Sequence, residues 1–375
     1  MAKDNSPTMV MVEDVMLEIM SYCPASEMAK LRQLNKEYNR RSYELSFIKR
    51  QLDRTNSFFG YIFHYRDQKF RSRSSFVSAF NGEEKIPISL AFLPPRHNNV
   101  AIKACDTHHG ILLCVDDNVY KGGRRIPDYI VCKPATKQYR IIPNPKTRWF
   151  TVATGLMVVS SNPFRYKIIR VSDTNAKVSK NGVDSLSCEV YDSVSDAWKR
   201  LPNMETDEFF PGDVKPVSAY GCLHWLTENN NVMRFCMRTE TWSIFPVPNE
   251  LVGDSCLMLV SYEGKLGVIH SRWGEGSDIW VLEKSFATSW VRLEDAKVKA
   301  LGGDDIFKAQ PIWFPSNDSV SRSSSSSLGL YNMNNDIYSY LYRMQDFYHM
   351  YCPAMKYFVP FHSNYERVCL NRDGE

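Results

Sequence analysis

No stretch of this 375-residue chain is apolar for long enough to cross a bilayer. Its longest segment free of charge, Trp149 to Phe164, is broken by Thr, Gly, Ser, Asn and Pro, whereas a spanning helix needs about 20 apolar residues. The N-terminus, MAKDNSPTMVMVED, lacks the apolar core of a secretory signal. Paired cysteine spacing is missing too. Ten cysteines occur without one C-x-x-C, and Cys105, Cys114 and Cys132 stand nine and eighteen residues apart, which fits no zinc site. Charge of one sign is not in surplus: 46 basic residues against 42 acidic leave +4, short of a nucleic-acid binder's basic excess. There is no G-x-S-x-G, no H-E-x-x-H and no Walker loop. These absences predict a chain that is neither secreted nor membrane-inserted, holding free thiols in a reducing compartment.

What is present falls into two unlike parts. Hydrophobic residues make up 43% and charged residues 23%, as in soluble globular domains, and the length suits two or three domains. Residues 9–54 read as helical. Val12, Val15, Met16, Ile19, Met20 and Cys23 form an apolar stripe of period 3.6. Pro24 ends that helix. Ser26 offers an N-cap for a second helix carrying Met28, Leu31 and Leu34, and Asn35 one for a third carrying Tyr38. Three short helices bury too little to stand alone, so some apolar surface should meet a partner. Leu17 lies off the stripe and is the residue expected to face that partner.

From residue 58 to 375 the period becomes two. Tyr61–Tyr65, Ile111–Val115, Tyr129–Cys132, Tyr166–Val171, Leu223–Leu226 and Ile279–Leu282 read as strands bounded by turn residues. A loose repeat runs through this part: VCKPATKQYRIIP (131–143), EVYDSVSDAWKRLP (189–202), RFCMRTETWSIFP (234–246), WVLEKSFATSWVRL (280–293) and a weaker MYCPAMKYFVP (350–360). Each copy closes on an aromatic: Tyr139, Trp198, Trp242, Trp290 and Tyr357. Between them, HHGILLCV, YGCLHWLT and YEGKLGVI each set a turn glycine before a strand. A repeat of about 40–50 residues points to propeller blades, whose faces are buried only against neighbours. The aromatic rings are expected to fill the gaps between blades, and about seven blades, within a range of six to eight, should result. An irregular β-sandwich or two smaller β domains is the alternative. Residues 316–328, including the serine run SVSRSSSSS, read as a flexible solvated loop.

Other chemistries have weaker support. His108-His109 is the one adjacent histidine pair; on a strand the two would point to opposite faces, and Gly110 makes them a turn. Asp213, Asp254, Asp304 and Asp305 are acids that a propeller channel could use, but nothing singles them out. Lys69, Arg71 and Arg73, and Lys121, Arg124 and Arg125, read as solvated basic loops, so nucleic acid is not the expected partner.

Residues 11–48 resemble an F-box. They carry Glu13-Asp14, Val15-Met16-Leu17, Glu18-Ile19-Met20, Pro24, Met28 to Arg32, Leu34 to Tyr38 and Phe47-Ile48. Val12, Cys23 and Tyr38 stand where the family usually has Pro, Leu and Trp. The remainder is similar to the kelch-like F-box-associated domain of plant proteins, in ILLC (111–114), RYKIIRV (165–171), CEVYDSVSDAW (188–198), GCLHWL (221–226) and DIWVLEKSFATSW (278–290). The resemblance implies a three-helix F-box over 9–54 followed by a mainly β, propeller-like domain over 58–375. It further implies a non-catalytic substrate receptor of a Skp–cullin–F-box ubiquitin ligase in cytoplasm and/or nucleus, without cofactor or metal. The Skp-type adaptor would dock on Val12, Leu17, Ile19, Pro24, Met28, Leu31, Leu34 and Tyr38. The β domain would hold an unknown target. The alternatives are an F-box propeller acting outside a ligase, or a propeller lectin or hydrolase.

Overall fold

The computed structural model describes residues 7–66, 72–80, 88–97, 100–116, 120–121, 124–174, 184–211, 215–253, 257–272, 276–283, 289–293, 310–323, 327–343 and 357–370. Four helices come first: α1 (Pro7–Met20), α2 (Ala25–Leu31), α3 (Lys36–Arg41) and α4 (Leu45–Arg54). The fourth was not expected. Its sequence LSFIKRQLDR places Phe47, Ile48, Gln51 and Leu52 on one side, a stripe too short to stand out. Asn35 caps α3 as expected, its Oδ1 accepting the Glu37 N–H at 2.7 Å. Ser26 does not cap α2. That helix starts one residue earlier, with Pro24 in the extended cap position.

Among the described residues seven antiparallel sheets follow: six are the blades of a propeller, and the seventh is a two-stranded ribbon of Tyr120–Lys121 and Arg124–Arg125. From the innermost strand outward, blade 2 holds Ala101–Asp106, Ile111–Asp116, Asp128–Lys133 and Gln138–Ile142. Blade 3 holds Phe150–Ser161, Phe164–Asp173, Asp184–Asp192 and Ala197–Arg200. Blade 4 holds Val217–Ala219, Cys222–Leu226, Asn231–Cys236 and Thr241–Pro246. Blade 5 holds Leu257–Tyr262, Lys265–Arg272, Gly276–Leu282 and Trp290–Arg292. Blade 6 holds Gln310–Ser316, Ser319–Ser323, Ser327–Asn332 and Ile337–Arg343.

Blade 1 closes the ring. Its strands Ser57–Arg66 and Ser72–Ser78 follow the helices, but its innermost strand is Tyr357–Asn364 from the C-terminal end, paired as Ile62↔Val359 and Gly60↔Phe361. This pairing joins the two ends of the chain in one sheet and leaves each blade only short edges. The end of the 350–360 repeat, from Tyr357 on, therefore belongs to an innermost strand; residues 350–356 and the Tyr357 side chain lie outside the described residues.

Two-sided burial explains the continuous apolar strands. In blade 2, Leu113, Val115, Tyr129 and Val131 face blade 3, while Leu112, Cys114, Ile130 and Cys132 face blade 1. Alternation still operates, but both faces are covered, so every residue of Ile111–Asp116 is buried.

The repeat aromatics act unequally. Trp198 fills the gap between blades 2 and 3 as expected, with ring centroids 5.7 Å from Tyr129 and 5.6 Å from Tyr191. Its Nε1 donates to the Pro143 carbonyl at 2.6 Å. Trp290 repeats this bond to the Pro246 carbonyl at 3.1 Å, and Trp242 packs on Trp225 and Phe235. Tyr139 instead faces solvent. The turn glycines behave as read: Tyr220-Gly221 and Glu263-Gly264 both have positive φ, the conformation of a type I′ hairpin.

The serine run is a correction. Ser319–Ser323 is a blade strand, with Ser319, Val320 and Ser321 buried. Ser321 Oγ donates to the Trp313 carbonyl at 2.8 Å, and Ser316 and Ser319 both donate to Asp318. A paired hydroxyl buries at little cost, so composition misled. Residues 324–326 lie outside the described residues.

Candidate functional site

The helical module is built around Leu17 and Met20 of α1, Met28 of α2 and Phe47 of α4, with Cys23, Leu31 and Tyr38 packed at its edge. Leu17 is only 5% exposed. Across the same helix Val15 is 55% exposed, Ile19 53%, and Tyr22, just beyond its last turn, 61%. The expected stripe of α1 therefore divides: Met20 and Cys23 turn inward together with Leu17, while Val15 and Ile19 stay open. Helix α1 is apolar on two sides, and periodicity shows that each stripe exists without showing which one the other helices cover.

The eight candidate docking residues consequently separate. Ile19 and Leu34 are exposed, Leu34 at 68%. Leu17 and Met28 are buried in the interior of the module. Leu31 and Tyr38 pack against that interior from its margin. Pro24 lines a cleft beside the propeller. The side chain of Val12 lies outside the described residues. Tyr22 was missed; the signal for it was its place three after Ile19.

Charge frames the stripe. Glu18 meets Arg54 at 2.5 Å and Arg50 at 3.4 Å, and Asp14 meets Arg41 at 2.9 Å. These pairs tie α1 to α3 and α4. The Arg54 hydrogen bond holds the Glu18 carboxyl below the ordinary range, against a smaller opposing effect of burial. The Arg54 guanidinium also lies 4.4 Å over the Tyr22 ring.

The module's surplus apolar surface is partly covered by the propeller itself. Leu52 and Ile48 of α4 join a cluster with Phe59 and Tyr61 of blade 1 and Ile312 and Trp313 of blade 6. Asn317 N–H of blade 6 donates to the Tyr43 carbonyl at 3.1 Å. At blade 5, a Cβ on Gly264 would stand 2.7 Å from Tyr43 Oη, so that turn is glycine for a second reason besides its φ.

A cleft of about 450 Å³ lies where α2 begins, lined by Pro24, Glu27, His109, Lys133, Ser363 and Arg367 among others. Two of its polar groups, Lys133 and His109, are engaged within the fold. Lys133 Nζ donates to Asn364 Oδ1 at 2.8 Å and to the Glu366 carbonyl at 2.5 Å. Burial brings this amine down to about 8, against the pull of Glu366. His109 Nδ1 lies 2.8 Å from Asp106 Oδ1. His108 and His109 form the expected turn. Among the described residues no group of three or more His, Cys, Asp or Glu side chains gathers as metal ligands. Asp213, Asp254, Asp304, Asp305, Lys69 and Arg71 lie outside the described residues, as do the side chains of Lys121, Arg124 and Arg125.

The sequence profile of the F-box associated beta propeller domain matches residues 63–319, from within blade 1 to the start of the second strand of blade 6. The chain belongs to the plant F-box proteins with an F-box-associated β-propeller. It is 72% identical over 174 residues to "F-box protein At5g41720" of Arabidopsis thaliana, covering 46% of this chain and 92% of that protein. It is 22% identical over 304 residues to "F-box protein At5g49610", covering 74% and 75% of the two chains, and 26% identical over 183 residues to "Putative F-box/kelch-repeat protein At1g12870", covering 41% and 42%, both also from Arabidopsis thaliana.

Proposed function

We propose that this chain is the substrate-recognition subunit of a Skp–cullin–F-box ubiquitin ligase. The helices before the propeller are its F-box, and a Skp-type adaptor docks on the open face of α1, bringing cullin with it. The propeller holds a target protein. The chain performs no bond-breaking step; it raises the effective concentration of the target beside a charged ubiquitin carrier. Its place of work is the cytoplasm and/or nucleus, and it needs no cofactor.

One observation carries this reading. Val15, Ile19 and Tyr22 form an exposed apolar stripe on a helical module joined to a propeller of the F-box-associated family. Leu34 adds a second exposed apolar point. An amphipathic helix with an uncovered apolar face suits docking against a partner. The departures at Cys23 and Tyr38 bear on packing within the module, since both side chains lie against its interior.

The test is co-purification of the full chain with a Skp-type adaptor and cullin, beside an Ile19→Glu, Leu34→Glu variant. Both positions are exposed, so the variant keeps its fold, and loss of the adaptor from the variant alone supports the reading. A wild-type chain that brings down neither adaptor nor cullin refutes it.

A further inference from the structure

All eight described cysteines are free thiols, and two of them stand in a distinct arrangement. Cys222 and Cys236 are directly opposed on adjacent strands of blade 4. The Met237 N–H donates to the Gly221 carbonyl, a bond that flanks the pair and marks it as a non-hydrogen-bonded site. At such a site the opposed Cα atoms approach to about 4.5 Å, within the range of about 4.4–6.8 Å that a disulfide spans.

The pair is also chemically asymmetric. Cys222 is buried and Cys236 half-buried, so one sulfur is shielded and its neighbour is open to a small reagent. Burial alone would push the Cys236 thiol up. Hydrogen bonds from the Thr239 side chain, the Thr239 and Arg238 N–H groups and Cys222 outweigh it and bring the thiol down to about 7. Arg234 and Arg238 add positive charge beside the pair. Low-pKa, accessible thiols next to a second cysteine are the reactive ones. Cys114 and Cys132 show the contrast. Their sulfurs are 4.0 Å apart, but they sit diagonally across their strands, wholly buried, with the Cys132 thiol pushed up by its neighbour and by burial.

We propose that Cys222 and Cys236 are a peroxide-responsive pair that closes to a cross-strand disulfide. The Cys236 thiolate attacks one oxygen of hydrogen peroxide. The O–O bond breaks, and the departing hydroxide takes up the proton that Cys236 lost, giving water and a sulfenic acid. The Cys222 sulfur then attacks the Cys236 sulfur. The S–S bond forms, the S–O bond breaks, and the second hydroxide leaves as water with the Cys222 proton. Two thiols are oxidised and one peroxide is reduced to two waters. This inference is independent of the ligase reading.

The full chain is treated with hydrogen peroxide, alkylated, and mapped by mass spectrometry after trypsin, which cuts at Arg234 and Arg238 and so puts the two cysteines on separate peptides. The expected product is a Cys222–Cys236 cross-link that dithiothreitol reverses, with Cys114 and Cys132 still alkylatable after denaturation. At neutral pH the thiolate fraction of Cys236 exceeds that of an ordinary thiol by about fiftyfold. Its lower basicity reduces nucleophilicity by about eightfold, so its alkylation should be roughly sixfold faster than in the unfolded chain. In Cys222→Ser, dimedone should trap the sulfenic acid on Cys236. Free Cys222 and Cys236 after peroxide, or Cys236 linked to another cysteine, overturns the proposal. The wild-type map is decisive even if the variant fails to fold.

Discussion

The two faces of α1 can be told apart by a paired substitution. Leu17 is 5% exposed and Ile19 53%. Truncating a buried leucine to alanine costs about 2–5 kcal/mol, whereas a substitution at an exposed site usually stays within about 0.5 kcal/mol. Leu17→Ala should therefore lower the urea midpoint of the helical CD signal, and Ile19→Ala should leave it in place. Adaptor binding should respond in the opposite order. Fully burying an isoleucine contributes about 1.5–3 kcal/mol, and docking would cover the exposed half of Ile19. Its loss should cost about 0.8–1.5 kcal/mol, or about four- to twelvefold in Kd by calorimetry against a Skp-type adaptor. Leu17→Ala, measured where the module is still folded, should bind nearly as the wild type does. If Ile19→Ala melts the module while Leu17→Ala does not, the assignment of faces is wrong. An unchanged Kd for Ile19→Ala removes this stripe from the docking surface.

Three further outcomes are expected. Trp198→Phe should cost about 0.5–1.5 kcal/mol for the bond to the Pro143 carbonyl, and Trp198→Ala about 3–5 kcal/mol, both read from chemical denaturation; equal losses would mean that the ring does not fill the blade gap. Gly264→Ala should destabilise by about 1–2 kcal/mol through its left-handed backbone, with a further loss from the clash with Tyr43 Oη; adding Tyr43→Phe should recover only the further loss in thermal melts. The third concerns pH. Because Arg54 holds the folded-state pKa of Glu18 below its ordinary value of 4.5, the pair's stabilisation is complete above that value and is lost as pH falls through the lower, folded-state value. Helical CD should show the tie between α1 and α4 weakening in that window, and Arg54→Gln should flatten the change.

The propeller was legible because its evidence is repetitive. Six expected strands coincide with blade strands, and the turn glycines at 221 and 264 have the positive φ their hairpins need. The blade number was less legible. Dividing the length by a blade's worth of residues gives about seven, whereas the described strands form six blades. Blade 1 added a second error, since it takes its innermost strand from the other end of the chain. No local pattern announces that pairing.

The two misread segments share a cause. Leu17 was placed outside because it lay off the longer apolar stripe, and Ser319–Ser323 because its residues are polar. In each case the deciding quantity was what stood opposite. Leu17 meets Met28 and Phe47, and the latter belongs to a helix too short to stand out. The serines meet the Trp313 carbonyl and the Asp318 carboxylate, which satisfy their hydroxyls, and Val320 between them points into the core shared with Tyr331. Period and polarity describe one side of a contact. The same reasoning bears on the docking face: Ile48 and Leu52 of α4 are as apolar as Val15 and Ile19 of α1, yet blades 1 and 6 already cover them. Among these apolar groups, those that the propeller and the other helices leave open are the ones an adaptor can still reach.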